Sequence, residues 1–178
     1  MYVYDKLFSE YNHTVAQILL TGEDIHDKAR HENFANTLER LLSLKVLPII
    51  NENDTVSTSE ISVGENDTLS ALVAVSVKAD LLILLSDVDG LYTADPRTNE
   101  GSELIPLVRE ITPEMQSFAG GKGTALSTGG MATKLGAASI VMNAGIDMAI
   151  VNGANPAILY DVLDGKPVGT RFQGRKDS

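Results

Sequence analysis

The 178-residue sequence has no cysteine and few basic residues, with 14 Lys and Arg against 24 Asp and Glu. Because thiols are absent, the chain forms no disulfide and no thiolate metal site, so any metal ion must be held by oxygen ligands. The net charge of -10 argues against a nucleic-acid partner, since such a surface needs clustered Lys and Arg to displace counterions. An anionic ligand would need local help from backbone amides, a lysine or a metal ion.

Long apolar runs are also missing. The longest runs, such as LLILL at 81–85, are far shorter than a membrane-spanning helix, and the N-terminus lacks the basic-then-apolar layout of a signal peptide. With 43% hydrophobic and 21% charged residues, the composition is typical of a globular protein. The sequence therefore predicts one soluble, cytoplasmic domain without a membrane partner.

Helix and strand patterns alternate along the chain. Helical periodicity or caps occur in MYVYDKLFSEY, 28–45, NDTLSALVAVSVKA, TPEMQSFA, 131–143 and NPAILYDVLDG, and strand-like runs occur in TVAQILLT, VLPII, DLLILLS, IDMAIV and VGTRF. We expect Asn66 or Asp67 to cap the third helix, and DLLILLS to be buried on both faces. The alternation predicts an α/β fold with a mostly parallel sheet covered by helices on both faces. Ligands of such folds bind at the carboxyl ends of strands, here after Ile50, Leu85 and Val151.

Asn and Asp are clustered in two neighbouring stretches. The strings IINENDTV and VGENDTLS hold Asn51, Asn53, Asp54, Asn66 and Asp67. Short carboxylates and carboxamides supply both acceptors and donors, which the ammonium and carboxylate groups of an amino acid require. The clusters predict an amino-acid site. The alternative is that these residues only form turns and helix caps.

The string LSDVDGLYTADPR follows the most apolar strand. That strand ends in Ser86 and Asp87, a D-G turn follows, and Pro96 enforces an extended chain before itself. This layout predicts a nucleotide-sized ledge at the carboxyl end of a strand. The alternative is an ordinary D-G turn without ligand contact.

A third stretch, LSTGGMATKLGAA, combines glycines with a lysine but does not fit the P-loop pattern G-x-x-x-x-G-K-[ST]. Thr128, Gly129 and Gly130 precede a predicted helix, whose free N–H groups and dipole attract anions. Lys134 lies about one turn further on and can lean back toward the helix start. The stretch predicts a phosphate clamp. The alternative is a glycine-capped helix whose lysine points into water.

Taken together, VLPIINENDTV, GENDTLSALVA, LLSDVDGLYTADPR and STGGMATKLGAA resemble the amino acid kinase family, and within it the glutamate 5-kinase branch, over 1–172. The D-x-D-G-x-Y-x-A-D-P-R element is shared across the family, whereas N-E-N-D together with G-G-M-x-x-K is narrower. The resemblance implies a three-layer αβα fold, ATP with Mg²⁺, and phosphorylation of L-glutamate to glutamyl 5-phosphate in proline biosynthesis. It also implies a homo-oligomer and makes proline a candidate feedback inhibitor.

The resemblance further implies roles for individual residues. The implied glutamate ligands are Asn51, Asp54, Asn66 and Asp67. The implied ATP site consists of Ser86, Asp87, Thr128, Gly129, Gly130, Met131, Ala132, Thr133 and Lys134. Lys134 would stabilise the charge that develops during transfer. Asp67 would orient lysine side chains rather than act as a base, because a carboxylate nucleophile has no proton to remove. No residue is assigned as a metal ligand.

One family element is not found in the sequence. The family domain begins with a strand and a K-x-G-[ST] phosphate loop, whereas MYVYDKLF aligns well inside that domain. We therefore expect 1–172 to be the C-terminal two thirds of the domain, incomplete at its N-terminus, with a tail at 173–178 and no PUA domain. Two alternatives stay open: a remnant that binds ligands without transferring phosphate, or another family member such as an acetylglutamate or aspartate kinase.

Overall fold

The computed structural model of the protein describes residues 1–56, 66–119 and 130–175. Within these ranges the chain has a mixed α/β fold in which helices and strands alternate. The helices are α1 Tyr2–Ser9, α2 Gly22–His26, α3 Lys28–Ser43, α4 Asn66–Ser76, α5 Pro113–Ala119, α6 Met131–Asn143 and α7 Ile158–Leu163. The strands are β1 Thr14–Leu20, β2 Val46–Glu52, β3 Leu81–Ser86, β4 Leu107–Val108, β5 Asp147–Asn152 and β6 Thr170–Phe172. No helix in these ranges is long and apolar enough to cross a membrane.

All the predicted helices and strands are confirmed, whereas α2 and β4 are not indicated by the sequence patterns. α2 has five residues and β4 has two, too few for a helical or alternating pattern to be visible. The start of α2 depends on polar contacts instead, because the carboxylate of Asp24 accepts 2.7 Å hydrogen bonds from the N–H and the hydroxyl of Thr21. Such contacts at a helix start satisfy groups that the helix itself leaves unpaired.

The chain divides into two compact units, Met1–Leu69 and Ser70–Ser178. In the first unit β1 and β2 pair in parallel along their whole length, so their carboxyl ends lie at the same edge. α3 buries Phe34 and Leu38, which lie on one helix face because they are four residues apart. This parallel pair and its neighbouring helix agree with the predicted α/β fold of mostly parallel strands.

The second unit contains a four-stranded sheet in the order β3-β5-β6-β4. β3 is parallel to β5 and β4 is parallel to β6, whereas β5 and β6 run antiparallel. The sheet is therefore mostly parallel, as predicted. Its core is centred on β5 and α6 and includes residues of α4, β3, β4 and β6. Met148, Ile150 and Val141 are each 0% exposed.

The burial predicted for β3 is wrong. Leu84 is buried, but Leu85 is 48% exposed, and the first three residues of the strand are only half-buried. Within the part of the chain that the structure describes, β3 pairs with β5 alone. An edge strand has a neighbour on one side only, so an entirely apolar sequence does not bury all of its side chains.

Two helix starts also differ from their predictions. α4 begins at Asn66, so Asn66 and Asp67 lie in the first turn of the helix and not at the cap position before it. α7 begins at Ile158 rather than at Pro156. A turn precedes α7, because the side chain of Asn155 accepts a 3.1 Å hydrogen bond from the backbone N–H two residues later.

The beginning of the predicted tail is not frayed. The backbone N–H groups of Gln173, Gly174 and Arg175 donate to Val108 O at 2.9 Å, Asp147 Oδ1 at 2.8 Å and Met142 O at 2.9 Å, respectively. At Gly174 a Cβ atom would lie 2.5 Å from the carbonyl carbon of Gly145, so a larger residue would clash with the backbone. These residues pack onto the second unit, and 176–178 lie outside the described residues.

Candidate functional site

The carboxyl ends of β3 and β5 lie side by side in the second unit. Ser86 and Asn152, the last residues of the two strands, are direct partners in the parallel register. Just beyond them, the N–H of Gly153 donates a 2.7 Å hydrogen bond to the carbonyl of Ser86. A Cβ atom on Gly153 would lie 3.1 Å from Cβ of Leu85, so glycine permits this close approach. The two strand ends therefore form one continuous edge.

The loop that follows β3, Asp87–Tyr92, is attached to this edge through Asp89. Its carboxylate accepts a 2.8 Å hydrogen bond from Nδ2 of Asn152 and a 3.2 Å bond from the hydroxyl of Tyr92. Partial burial raises the pKa of Tyr92, and the hydrogen bond to Asp89 and the charge of that carboxylate raise it further. The neighbouring Asp87 accepts a 3.2 Å bond from the hydroxyl of Ser86.

Thr170 on β6 fixes the far end of the same loop. Its hydroxyl is fully buried, accepts a 2.8 Å hydrogen bond from the N–H of Leu91, and donates a 2.7 Å bond to the carbonyl of Ile105. A Cβ atom on Gly90 would lie 2.5 Å from this hydroxyl oxygen. The D-G turn is thus held by Thr170, and these contacts fit both a ligand ledge and a D-G turn without ligand contact, so the ledge stays a prediction.

Beyond Tyr92 the chain forms an exposed hairpin that carries a cation. Arg97 binds the carboxylate of Asp95 through Nε and an NH2 group, both at 3.2 Å. Hydrogen bonds from Arg97 hold the pKa of Asp95 below its ordinary value, and those bonds together with the charges of Asp95 and Asp87 raise the pKa of Arg97. Arg97 therefore stays charged within electrostatic reach of the loop.

The glycine-started helix is present where the sequence predicts it. Gly130 is the N-cap of α6, and the hydroxyl of Thr133 donates a 2.7 Å hydrogen bond back to its carbonyl. Lys134 is only 8% exposed, which contradicts the alternative in which this lysine points into water. Met131 is half-buried and Ala132 is exposed.

The helix and the strand edge share one core. Leu135, which follows Lys134, belongs to the same buried cluster as Leu84 of β3 and Ile150 of β5. A buried ammonium group is unfavourable unless polar or charged groups surround it. Because Lys134 is buried at the start of α6, its ammonium group requires polar or charged partners there. The predicted Thr128 and Gly129 lie outside the described residues.

The predicted amino-acid site lies in the first unit. Asn51 and Asp54 are exposed near the carboxyl end of β2, as expected. The N–H of Asn53 donates a 2.7 Å hydrogen bond to the carbonyl of Leu20 at the end of β1, and the side chain of Asn53 accepts a 2.7 Å bond from the hydroxyl of Thr55. These bonds tie the beginning of the loop to the strand pair.

The second Asn/Asp cluster opens α4, of which residues 66–69 belong to the first unit and residues 70–76 to the second. Asn66 is exposed and Asp67 is half-buried in the first helical turn. Residues 57–65, which join the two clusters, lie outside the described residues. The proximity predicted for the two clusters therefore stays a prediction.

The sequence patterns do not indicate the hydrogen bonds that join Asn152, Asp89 and Tyr92 beside the predicted ledge. Asn152 lies in the loop expected to matter after Val151, and Asp89 and Tyr92 lie within LSDVDGLYTADPR. The available signal for Asn152 was its position at the end of an apolar strand. Its hydrogen-bond partner is 63 residues away in sequence, so no local pattern indicates the contact.

Among the described residues, no group of three or more His, Asp or Glu side chains could hold a metal ion. The described residues could hold Mg²⁺ only as nucleotide sites usually do. In such sites phosphates and water supply most of the ligands, and the protein supplies one or two carboxylates. Asp87 and Asp89 are the exposed carboxylates of the ledge. They are the residues in the second unit that would meet such an ion.

The fold and the ledge define the class of the protein. Parallel strands that present polar side chains at their carboxyl ends, next to a helix begun by glycine, are typical of α/β proteins that bind phosphorylated ligands. The sequence profile of the amino acid kinase family matches residues 1–152, and the chain belongs to this family.

Individual relatives agree with this assignment. Glutamate 5-kinase of Clostridium tetani is 56% identical over 176 residues, which is 99% of this chain and 66% of that protein. Glutamate 5-kinase of Carboxydothermus hydrogenoformans is 53% identical and is 47% covered. The chain thus spans about half to two thirds of the length of these curated relatives. Among solved structures, carbamate kinase from Giardia lamblia bound to AMP-PNP has a TM-score of 0.67 at 16% identity, covering 96% of this chain and 66% of that one, a likeness in fold alone.

Proposed function

We propose that the chain belongs to a glutamate 5-kinase, which transfers the γ-phosphoryl group of ATP to the side-chain carboxylate of L-glutamate. The product is glutamyl 5-phosphate, the first intermediate of proline biosynthesis. The observation that carries the proposal is the 56% identity to the C. tetani enzyme over 99% of this chain. The described geometry supports it, because a buried lysine at a glycine-started helix suits a phosphate-bearing substrate.

The nucleotide would bind in the second unit. Its phosphates would meet backbone N–H groups at the start of α6 and the ammonium group of Lys134. Ser86 and Asp87 would contact it from the strand edge. As the γ-phosphoryl group leaves ADP, negative charge spreads over its oxygens in the transition state. A fixed cation stabilises this transition state more strongly than it stabilises the ground state. Lys134 has this role in the proposal.

Mg²⁺ would neutralise part of the phosphate charge when bound. Asp87 and Asp89 would hold it, together with phosphate oxygens and water. Asp89 already accepts hydrogen bonds from Asn152 and Tyr92, which leaves Asp87 as the carboxylate better suited to the ion.

Glutamate would bind in the first unit. Asp54 is suited to the substrate ammonium group, and the amides of Asn51 and Asn66 to its carboxylates, because carboxamides donate and carboxylates accept. Asp67 would orient lysine side chains. The proposal extends to a cytoplasmic enzyme that forms a homo-oligomer and is inhibited by proline, as the family resemblance implies.

ADP formation by the chain joined to a kinase N-terminal segment, measured with ATP and Mg²⁺ in the presence and absence of L-glutamate, tests the proposal. Turnover that requires glutamate is expected. Turnover that prefers acetylglutamate or aspartate would instead assign another specificity within the family. Calorimetric titration with ATP and with glutamate separates the remaining cases. Binding of both ligands without turnover would favour a binding remnant, and absence of any binding would contradict the proposal.

A further inference from the structure

Asp89 is the point at which the loop after β3 is joined to the neighbouring strand. It is exposed, yet its carboxylate accepts two hydrogen bonds, from Asn152 Nδ2 at 2.8 Å and from the Tyr92 hydroxyl at 3.2 Å. Hydrogen bonds to an ionised carboxylate are stronger than those between neutral groups. Tyr92 lies in the same loop as Asp89, whereas Asn152 is 63 residues away in sequence, so the bond from Asn152 is the one that ties Asp89 to the neighbouring strand.

Asn152 is suited to this contact by both ends of its amide group. Its Oδ1 accepts a 2.9 Å hydrogen bond from the N–H of Ala154, which orients the amide so that Nδ2 faces Asp89. An aspartate at this position would keep the acceptor but would present a second negative charge to Asp89. A serine would keep an acceptor for the N–H of Ala154, but its shorter side chain would not reach the carboxylate of Asp89. Only asparagine, among these, satisfies both partners.

The remaining anchors hold the two ends of the loop but not its middle. Gly153 binds the carbonyl of Ser86 at one end, and Thr170 binds the N–H of Leu91 at the other. The segment between them contains Asp87. The hydrogen bond between Asn152 and Asp89 is therefore the contact from a neighbouring strand that fixes the middle of the loop.

We propose that Asn152 is a positioning residue for nucleotide binding, which acts through Asp89 to hold Ser86 and Asp87 against the end of β5. This inference rests on the proposed function, because it takes ATP to be the ligand of the loop. Asn152 touches no reacting group in this account. Asn152 orders the loop before ATP binds, so the free-energy cost of ordering the loop is not subtracted from the binding free energy. Such preorganisation increases the affinity for ATP.

Calorimetric titration of the full chain with ATP tests the inference through Asn152→Ala. We expect the Kd for ATP to rise about 3- to 10-fold, which corresponds to the net contribution of one ordinary hydrogen bond. The Kd for glutamate should not change, whereas a general loss of structure would raise both. Asn152→Ser keeps an acceptor for Ala154 and should weaken ATP binding equally, which provides a second variant if Asn152→Ala folds poorly. Asn143→Ala, an exposed asparagine at the last residue of α6, is the matched control and should leave both Kd values unchanged.

A double-mutant cycle establishes that the effect passes through Asp89. If it does, adding Asn152→Ala to Asp89→Ala should change the Kd for ATP by less than about twofold, because the partner is already missing. Full additivity of the two losses would overturn the inference, as would an unchanged ATP affinity in both Asn152 variants. These results would leave the proposed function intact. If the unsubstituted chain binds no ATP, the proposed function fails and the inference fails with it.

Discussion

The loops that follow β2 and β3 both begin at the carboxyl end of a parallel strand, but they are held in different ways. The loop after β3 is hydrogen-bonded to two other strands: Asn152 of β5 donates to Asp89, and Thr170 of β6 accepts from the N–H of Leu91. In the described part of the loop after β2, the backbone N–H of Asn53 donates to the end of β1. The side chain of Asn53 accepts a hydrogen bond from Thr55. Asn51 and Asp54 beside it are exposed.

The difference separates two ways of forming a binding site. The loop after β3, residues 87–92, is fixed by long-range contacts without any ligand. Substitutions far away in sequence should therefore alter the proposed affinity of this loop for ATP. The loop after β2 presents its polar groups directly to solvent, so its contribution should depend on the individual side chains. Variants that affect one loop and not the other test this contrast.

The largest effect is expected at the start of α6, next to the fixed ledge. Lys134→Met keeps much of the side-chain volume but removes the charge that would stabilise the transferring phosphoryl group. Turnover with ATP and glutamate should fall by roughly 10²- to 10³-fold, the usual loss for one such group. Lys166→Met is the control, since Lys166 is exposed and paired with Asp161. The turnover of this control variant should be unchanged. A loss of less than threefold in Lys134→Met would remove this lysine from the proposed mechanism.

A smaller, ligand-specific effect is expected in the loop after β2. Asp54→Ala removes the carboxylate proposed to bind the substrate ammonium group, so the KM for glutamate should rise by about 10- to 100-fold, the range for a charged hydrogen bond. The Kd for ATP should stay the same. Asp5→Ala, on the exposed surface of α1, controls for the loss of one negative charge. An unchanged glutamate KM in Asp54→Ala would exclude Asp54 from the pocket.

Thr170→Val tests whether the ledge depends on its buried anchor. The substitution preserves shape but leaves the N–H of Leu91 and the carbonyl of Ile105 without their partner, which should lower the free energy of unfolding by about 1–3 kcal/mol. Urea denaturation measures this change. Thr37→Val is the matched control, because the hydroxyl of Thr37 donates an exposed 2.8 Å bond within α3, and a change below about 0.5 kcal/mol is expected there. Equal changes in the two variants would show that the buried hydroxyl does not anchor the loop.

The smallest effect concerns the pH dependence of the ledge. The pKa of Tyr92 is raised above 10.0 by partial burial and by Asp89. Its contribution to stability is therefore fully present below pH 10.0 and is lost as the pH rises through the raised value. Absorbance at 295 nm should show a late tyrosine ionisation that disappears in Tyr92→Phe. It should persist in Tyr160→Phe, where the ring is 73% exposed. If the late step survives in Tyr92→Phe, the contact with Asp89 does not form in solution.

Local patterns predict much of this molecule, and the contacts they miss are long-range. Periodicity and caps locate α6 and its glycine start, because a helix is determined by residues three and four apart. The same patterns do not reveal that Leu91 meets Thr170, 79 residues away, or that Asn152 meets Asp89. These contacts depend on the order of the strands in the sheet, which periodicity along one chain does not contain. For the same reason the edge position of β3 among the described strands, and hence the exposure of Leu85, could not be predicted.

A crystal structure of the chain with Mg²⁺ and a non-hydrolysable ATP analogue tests the central claim most directly. The account predicts phosphate oxygens at hydrogen-bond distance, about 2.7–3.2 Å, from the N–H groups at the start of α6 and from Nζ of Lys134, with the nucleotide against Ser86 and Asp87. A nucleotide bound elsewhere, or phosphates that do not reach α6, would contradict it.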